Sequence, residues 1–367
     1  MPPDIDQAEL RDTARSELLD LGPMGRLLED ENITQVRVTL RMLSIHRRGR
    51  CVPHAGYGYA TEAGVARVVR RLCARAGVEL PSGSPYGEVV LPDGRHLFVV
   101  QPGPAAAGHL VVVRRPMRSQ ASLNELVRSG AISRGMATLL AHCVAARANI
   151  LVAGAAGSGA RSLVEALAAA APVTAPTVWL QAPEDLEPLP DGVPAIRLGE
   201  SQTDRLKAIE AATKLAAEHI IAPSLKGAEL AALLDAITRG TEGVVMFAAA
   251  GTLRQATDRL SVDLAGARPG VTTQTAREWL GSSFDVGVEV TQLRDGRLRA
   301  VRLVEFRSGA HGTALRDIFT FAYHHTAAGG SIEGAFYASG TVPHIVEDLA
   351  ARGMPLDTSI FRRHPSA

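Results

Sequence analysis

The chain has 367 residues, of which 46% are hydrophobic and 21% charged, and its formal net charge is +1. This length favours two domains with separate cores. The near-zero net charge excludes an overall field that attracts nucleic acid, so no nucleic-acid partner is expected. Cys51, Cys73 and Cys143 lack any metal-ligand spacing, which predicts no metal site and favours a reducing cytoplasm. Because no apolar run reaches about 18 residues, we expect no transmembrane segment.

The first third of the chain mixes helical and strand patterns. Residues 5–30 place apolar side chains at helical spacing, interrupted at Gly22-Pro23. Asp93-Gly94 has the composition of a hairpin turn. The other predicted elements are strands at 33–38, 42–46, 89–91, 97–100 and 110–113, and a helix at 61–76 that ends at Gly77. Together these elements predict an N-terminal α+β domain over residues 1–116.

The rest of the chain has an alternating pattern. A polar linker at 117–121 leads to Ser122 and Glu125, which form a capping-box signature at the start of a helix. Strands and helices then alternate, with strands at 150–153, 177–180, 219–222 and 244–248 and helices at 203–217 and 228–238. This alternation predicts a mostly parallel sheet with helices on both faces. A second Asp-Gly turn, Asp295-Gly296, predicts a C-terminal β-hairpin over 286–306, so residues 122–367 form the second domain.

A glycine-rich turn separates the buried strand at 150–153 from the helix after it. Its glycines are Gly154, Gly157 and Gly159, and this strand, turn and helix are the setting of a phosphate-binding P-loop. In that motif a lysine contacts the β- and γ-phosphates and a Ser or Thr binds Mg²⁺. Those two positions hold Ala160 and Arg161. The turn therefore has the frame of a P-loop without its charged and metal-binding side chains.

Several ordered segments resemble one known family over nearly the whole chain. The segments are residues 33–36 and 46–50, 84–85 and 91–95, 113–115, 149–159, 220–229, Gly240 with Gly243, 316–319 and 334–353. They are similar to the CpaF/TadA-type ATPases of Tad/Flp pilus assembly, within the type II/type IV secretion ATPases. The resemblance implies an α/β protein with an N-terminal α+β, PAS-like domain. After it comes a RecA-like P-loop NTPase domain with a C-terminal β-hairpin and helical tail.

The same resemblance identifies the catalytic positions at which this chain departs from the family. The Walker A lysine falls on Ala160, and the acidic residues of the next strand fall on Gln181 and Ala182. The Walker B glutamate falls on Ser224 and the catalytic-region histidine on Ala249. Phosphoryl transfer depends on positioned charges, of which one can contribute about 10³–10⁵ in rate. These losses predict hydrolysis at the background rate.

Some groups that could still hold a phosphate remain. Backbone N–H groups and a helix N-terminus bind anions whatever the side chains. The candidate set is Gly154, Gly157, Ser158, Gly159, Ala160, Arg161 and Ser162, with Arg95, Arg114 and Arg115, which resemble arginines that the family directs toward the nucleotide. In the alternative interpretation the glycines only allow a tight turn, Arg161 is a solvated helix-surface residue, and the three other arginines form salt bridges at a domain interface.

We therefore expect an inactive pseudo-ATPase that needs no cofactor and no metal, with weak or absent binding of ATP and ADP. The resemblance implies a structural or regulatory subunit of a Tad/Flp-like machine, in a hexameric ring with itself or with an active paralogue. It also implies a cytoplasmic protein that meets an inner-membrane platform protein. Three alternatives stay open: a weak ATPase that uses Arg161 and Glu184, a module that binds nucleotide without hydrolysing it, and a monomeric adaptor.

Overall fold

The computed structural model describes residues 11–366 except 12–14, 40, 48–49, 55–57, 81–83, 104–105, 116–121, 156, 183–188, 190–192, 310–311, 328 and 364. The described residues fall into two compact units, residues 11–115 and 122–366. The predicted linker at 117–121 and the candidate acid Glu184 lie outside the described residues.

The first unit is a six-stranded antiparallel sheet with helices against one face. Its strand order is β3-β2-β1-β6-β5-β4. The elements are α1 (Pro23–Glu29), β1 (Ile33–Thr39), β2 (Met42–Arg47), β3 (Arg50–Pro53), α2 (Glu62–Arg75), β4 (Tyr86–Val90), β5 (His96–Val100) and β6 (Leu110–Arg114). Every strand and the second helix predicted for this domain are present, and β3 is an additional strand.

Local sequence signals account for the helix of this unit that covers the sheet. Helix α2 begins after Thr61, whose side-chain oxygen accepts a hydrogen bond from the backbone N–H of Gly64. It ends before Gly77, which has a φ of 67° and so takes the left-handed position that follows many helices. The side chains of Val65, Val69 and their neighbours are buried against the sheet. The predicted C-terminal signal at Gly77 is confirmed.

The second unit is built on a ten-stranded mixed sheet with the order β16-β15-β14-β13-β12-β7-β11-β10-β8-β9. Its strands are β7 (Ile150–Gly154), β8 (Thr177–Gln181), β9 (Ala195–Arg197), β10 (His219–Ala222), β11 (Val244–Ala249), β12 (Val286–Gln292), β13 (Leu298–Gly309), β14 (Gly312–Thr326), β15 (Ile332–Ala338) and β16 (Pro365–Ser366). Strands β7 to β12 pair in parallel and β12 to β16 pair antiparallel. The predicted parallel sheet is thus confirmed for the half of the sheet from β9 to β12, and the other half is antiparallel.

Helices cover both faces of the parallel half. They are α3 (Leu123–Arg128), α4 (Arg134–Ala145), α5 (Ala160–Ala169), α6 (Gln202–Lys214), α7 (Gly227–Thr238), α8 (Leu253–Ala267), α9 (Thr273–Ser283) and α10 (Ile345–Ala351). Side chains of β7 alternate between two cores: Ile150 and Val152 face one, and Leu151 and Ala153 the other. A strand buried on both faces reads as a continuous apolar run because each of its faces is covered by helices.

The predicted C-terminal hairpin over 286–306 is confirmed, because β12 and β13 pair antiparallel on either side of Asp295-Gly296. The predicted helical tail is only partly present: the chain after residue 311 forms β14, β15 and β16, with α10 and a short 3-10 helix (Thr358–Phe361) as its helical parts. Helices α8 and α9 were not predicted. The long strands β13 and β14 pair over most of their length, and this non-local pairing determines a conformation that local patterns do not indicate.

Polar side chains join the starts of the parallel strands at the base of the sheet. The side chain of Asn149 accepts from the N–H of Val244 at 2.9 Å and donates to the carbonyl of Ser283 at 3.0 Å. Arg352, which follows α10, pairs with Glu242 through N–O distances of 2.9 and 3.2 Å. The Asn149 bonds connect neighbouring segments at the edge of the sheet opposite the glycine-rich turn. The Arg352 ion pair attaches the C-terminal region to the same edge.

No helix among the described residues is long and apolar enough to cross a membrane.

His219 at the start of β10 generates a pH prediction. The residue is 2% exposed, and burial lowers the pKa of its imidazole, with the charge of nearby Arg147 acting in the same direction. The unfolded chain therefore takes up a proton near pH 6.5 that the folded chain resists. Wild-type protein should lose stability relative to His219→Gln as the pH falls from 7.5 to 5, by about 1.4 kcal/mol for each unit by which the pKa is lowered.

Urea unfolding of both proteins at the two pH values measures this difference. His325→Gln, at an exposed position of β14, is the control for a general effect of removing a histidine. A difference between wild type and His219→Gln that stays constant with pH contradicts the prediction.

Candidate functional site

The glycine-rich turn connects β7 to α5 at the carboxyl edge of the parallel strands. Gly157 and Gly159 both have a φ of 79°, a left-handed conformation that costs other residues about 1–2 kcal/mol. Gly159 is also the N-cap of α5 and makes no side-chain cap. The predicted strand, turn and helix are therefore present, with glycine at two positions where the backbone requires it.

Two residues of this turn, Ser158 and Ala160, lie close to each other and to Gly154. The hydroxyl of Ser158 accepts a hydrogen bond from the N–H of Ala160 at 3.3 Å, and both residues are buried, at 4% and 2% exposed. A Cβ atom placed on Gly154 would lie 2.4 Å from the Ser158 hydroxyl and 2.5 Å from the Ala160 methyl group. The N–H group of Ala160, which in a P-loop donates to a phosphate oxygen, thus has an acceptor within the protein.

A leucine from the C-terminal hairpin covers the end of the turn. A Cβ atom placed on Gly159 would lie 1.9 Å from Cδ1 of Leu298, at the start of β13. The hairpin is held by Asp295, whose carboxylate accepts from the N–H of Ile332 at 2.9 Å and of Arg297 at 3.0 Å. An apolar side chain held in this way at the N-terminus of α5 opposes the binding of a charged group there.

Arg161, at the position of the metal-binding Ser or Thr, is directed inward. Its Nε lies 2.9 Å from Oε1 of Glu165, a side chain that is 6% exposed, and its guanidinium carbon lies 5.5 Å from the ring centroid of Trp179. Only 21% of the Arg161 side chain is exposed, so a solvated helix-surface arginine is not what the structure contains. Ser162 is half-buried.

An arginine that the sequence reasoning missed contacts Ser224 and Ala249, two of the positions that the resemblance aligns with catalytic residues. Arg259 on α8 donates to the carbonyl of Ala249 and, at 3.3 Å, to the hydroxyl of Ser224. Ala249 pairs with Gly154 across β11 and β7, so this guanidinium lies one strand from the turn. Arg259 belongs to no sequence motif. It follows Ala249 by ten residues, and helix α8 brings it back to the end of β11.

The other positions of the family's catalytic groups are also uncharged. Gln181 ends β8 and is half-buried, and Ala182 after it is 6% exposed. Among the described residues, no three His, Cys, Asp or Glu side chains are grouped to hold a metal ion. In the described part of the site, the arginines near the turn are thus directed at protein groups, and the groups facing its interior are a hydroxyl and a methyl.

The structure places Arg95, Arg114 and Arg115 in the first unit, with two of them bound to its own backbone. Arg95 and Arg115 both donate to the carbonyl of Leu28 near the end of α1, the latter at 2.8 Å. Arg114 is exposed at the end of β6. Two of the three candidate arginines therefore hold α1 against the sheet, as cations often do at helix C-termini.

No protein-family model matches the chain. Among curated proteins, the chain is 28% identical to the conjugal transfer protein TrbB of Rhizobium radiobacter over 282 residues, which cover 76% of this chain and 84% of TrbB. It is 25% identical over 307 residues to a Mycobacterium tuberculosis H37Rv protein named for conjugal transfer, with 80% of this chain and 86% of the relative covered. The sequence relatives are thus conjugal transfer proteins.

Solved structures show which fold the chain has. The ATPase DotB of Yersinia pseudotuberculosis matches with a TM-score of 0.54 at 12% identity, covering 82% of this chain and 80% of DotB. DotB of Legionella pneumophila matches at 0.51 and 11%, covering 83% and 82%. The pilus retraction motor PilT with bound ADP matches at 0.50 and 13%, covering 80% of each chain. The chain therefore has the fold of the ATPase DotB and the motor PilT. The likeness does not extend to the particular machine, and the resemblance to Tad/Flp proteins stays a prediction.

The contact between Leu298 and Gly159 generates a stability prediction. Gly157→Ala and Gly159→Ala share the same left-handed strain, about 1–2 kcal/mol, because both positions have a φ of 79°. A Cβ at Gly157 meets no atom within 4 Å, whereas at Gly159 it overlaps Leu298. Gly159→Ala should therefore cost about 1–3 kcal/mol more than Gly157→Ala, the typical cost of overpacking.

Denaturant unfolding of the two variants, of Leu298→Ala and of the double variant Gly159→Ala with Leu298→Ala measures this cost. Truncating Leu298 should remove its overlap with the methyl group added at residue 159. The double variant should therefore be more stable than the sum of the two single effects predicts. Additive effects would mean that Leu298 does not close this end of the turn.

Proposed function

We propose that this chain is a pseudo-ATPase: a protein with the secretion-ATPase fold that has lost nucleotide hydrolysis and acts as a structural or regulatory subunit. The observation that carries the proposal is the turn without a charged side chain at residue 160: the N–H of Ala160 donates to the Ser158 hydroxyl, and Leu298 lies against Gly159. A lysine at residue 160 would supply positive charge to a bound phosphate, but the alanine methyl group supplies none.

The surroundings of the turn support the same proposal. Hydrolysis requires a group that orients water and groups that stabilise the charge developing on the phosphates. Ser224 and Ala249 hold these positions, and both accept from Arg259. The guanidinium therefore makes two hydrogen bonds within the protein when no nucleotide is present, while its buried Nε has no partner among the described residues.

The relatives support a role in a transfer or secretion machine. The names of the curated proteins refer to conjugal transfer, and the structural matches are the ATPase DotB and the retraction motor PilT. We propose that this chain is a cytoplasmic subunit of such a machine, of the Tad/Flp type that the sequence resembles. In this proposal it forms a ring with itself or with an active paralogue, which would supply the hydrolysis, and contacts a platform protein at the inner membrane.

A second candidate function is a nucleotide-binding regulator. One observation favours it: Gly157 and Gly159 keep the left-handed conformation of a phosphate-binding turn, and α5 begins without a side-chain cap. The first N–H groups of a helix attract anions when no side chain satisfies them. In this function a nucleotide would displace the Ser158 hydroxyl and would bind without being hydrolysed.

Thermal unfolding with and without 1 mM Mg-ATP, beside a phosphate-release assay, tests the proposal. For the pseudo-ATPase we expect no change in the melting temperature and release equal to a heat-killed control. A ligand present at about 100 times its Kd stabilises a protein by about 2.7 kcal/mol, which raises the melting temperature by several degrees. The variant Ala160→Lys with Arg161→Thr places the two side chains of the P-loop motif in the turn and is the positive control for nucleotide binding.

Each other outcome selects a different function. A rise of several degrees in the wild type without release selects the nucleotide-binding regulator. Release above the heat-killed control, if Arg161→Ala abolishes it, selects the weak ATPase and overturns the proposal. Because Arg161 also contacts Glu165 and Trp179, the melting temperature of that variant must be measured in parallel, so that loss of fold is not mistaken for loss of activity.

A further inference from the structure

A groove of about 740 Å³ lies between α3, α4 and α5 in the second unit. Small apolar side chains line it, namely Val127, Ala137, Ala141, Ala166 and Ala170. Its volume is within the range of about 300–1,000 Å³ that is typical of binding sites. Alanines on three facing helices leave room for the side chains of another segment, because they do not fill the space between the helix axes.

The charged residues that line the groove are basic. They are Arg128 on α3 and Arg134 on α4, and no acidic residue lines it in the described part of the chain. The guanidinium groups of Arg128 and Arg134 make no ion pair within the described residues. An apolar floor with unpaired arginines at its edge suits a segment that carries both leucine side chains and carboxylates.

The N-terminal segment of this same chain has that composition. Residues 1–12 contain Asp4, Asp6, Glu9 and Asp12 against one arginine, Arg11. Residues 15–19 are helical, and Leu18 and Leu19 are 58% and 70% exposed. Adjacent leucines with this exposure form an apolar surface that a monomer leaves in water.

This surface is held in place on the first unit. The guanidinium of Arg71 on α2 donates to the carbonyls of Glu17, Leu18 and Asp20. The carboxylate of Glu17 accepts from the N–H of Ala60 at 3.2 Å. These bonds fix the backbone from residue 17 to residue 20, so the exposed leucines are part of a rigid surface and need little ordering when they bind.

We propose that the groove between α3, α4 and α5 binds the N-terminal segment of a second copy of this chain, with Leu18 and Leu19 on its alanine floor and the acidic residues beside Arg128 and Arg134. The groove and the segment are different surfaces, so the contact is head to tail, and such contacts form a ring when the rotation between successive copies closes. The inference rests on the ring in the proposed function and identifies one interface of that ring. The bound segment touches α5, the helix that begins at the glycine-rich turn.

Site-directed cross-linking of two full-length proteins tests this contact. One protein carries Leu19→Cys and the other Ala141→Cys, both in a Cys51→Ser background, because Cys51 is exposed while Cys73 and Cys143 are buried. After mixing, a short bis-maleimide should join the two proteins. We expect at least a tenfold higher yield of the mixed product than for the control pair of Val262→Cys, on an exposed site of α8, with Ala141→Cys.

A second pair of variants tests the chemistry of the contact. Leu18→Asp with Leu19→Asp should lower the self-association constant at least tenfold in light scattering, as should Arg128→Glu with Arg134→Glu. Val262→Asp should leave it unchanged. These positions are exposed, so circular dichroism spectra should match the wild type, and any change in association then reflects the interface.

The outcomes separate this inference from the proposed function. Oligomers by light scattering without a Leu19–Ala141 cross-link overturn the groove proposal and leave the ring intact. A monomer in solution overturns the ring and the groove together. Cross-linking that joins the two cysteines only inside one chain, in a protein carrying both, assigns the groove to the chain's own N-terminal segment and also overturns the contact between copies.

Discussion

The burial of strand β7 on both faces is the constraint on which the second unit depends. Ile150 and Val152 contact one core and Leu151 and Ala153 the other, and parallel neighbours pair with both of its edges. The chain must leave such a strand at the edge of the sheet and return as a helix that covers it. That return occupies a few residues and requires left-handed backbone at Gly157 and Gly159. The turn is therefore needed by the fold whether or not a nucleotide binds.

Because the fold needs the turn, the turn keeps its shape with an alanine at residue 160, where a P-loop has a lysine. In an active P-loop the inward N–H groups and the helix N-terminus are satisfied by phosphate. Here Ser158 supplies an oxygen to one of these N–H groups, and Arg259 donates to Ser224 and Ala249 at the ends of the neighbouring strands. Polar groups that are buried without partners cost about 1–3 kcal/mol each. The internal hydrogen bonds of Ser158 and Arg259 lower that cost without a ligand, although the buried Nε of Arg259 still has no partner among the described residues.

The arginines of the chain illustrate how position determines the role of a cation. Arg161 is held between Glu165 and Trp179, and Arg95 and Arg115 bind the carbonyl of Leu28. Planar guanidinium groups suit such multiple contacts with protein oxygens and rings. In contrast, Arg128 and Arg134 border an apolar groove and lack ion pairs within the described chain. Cations that are satisfied inside the fold stabilise it, and those at an open groove are available to a partner.

Local patterns in the sequence determined most strands of the first unit and four strands of the parallel half of the second, since helix caps such as Ser122 and the Asp-Gly turns act over a few residues. The glycine-rich turn and the alanine at residue 160 could also be recognised from the sequence, because the P-loop motif is contiguous. Only the tertiary structure decided the antiparallel half of the large sheet, the contact of Leu298 with Gly159, and the place of Arg259 beside Ser224. Those features join residues that are far apart in the chain, and their geometry depends on how strands and helices pack, which no local pattern contains.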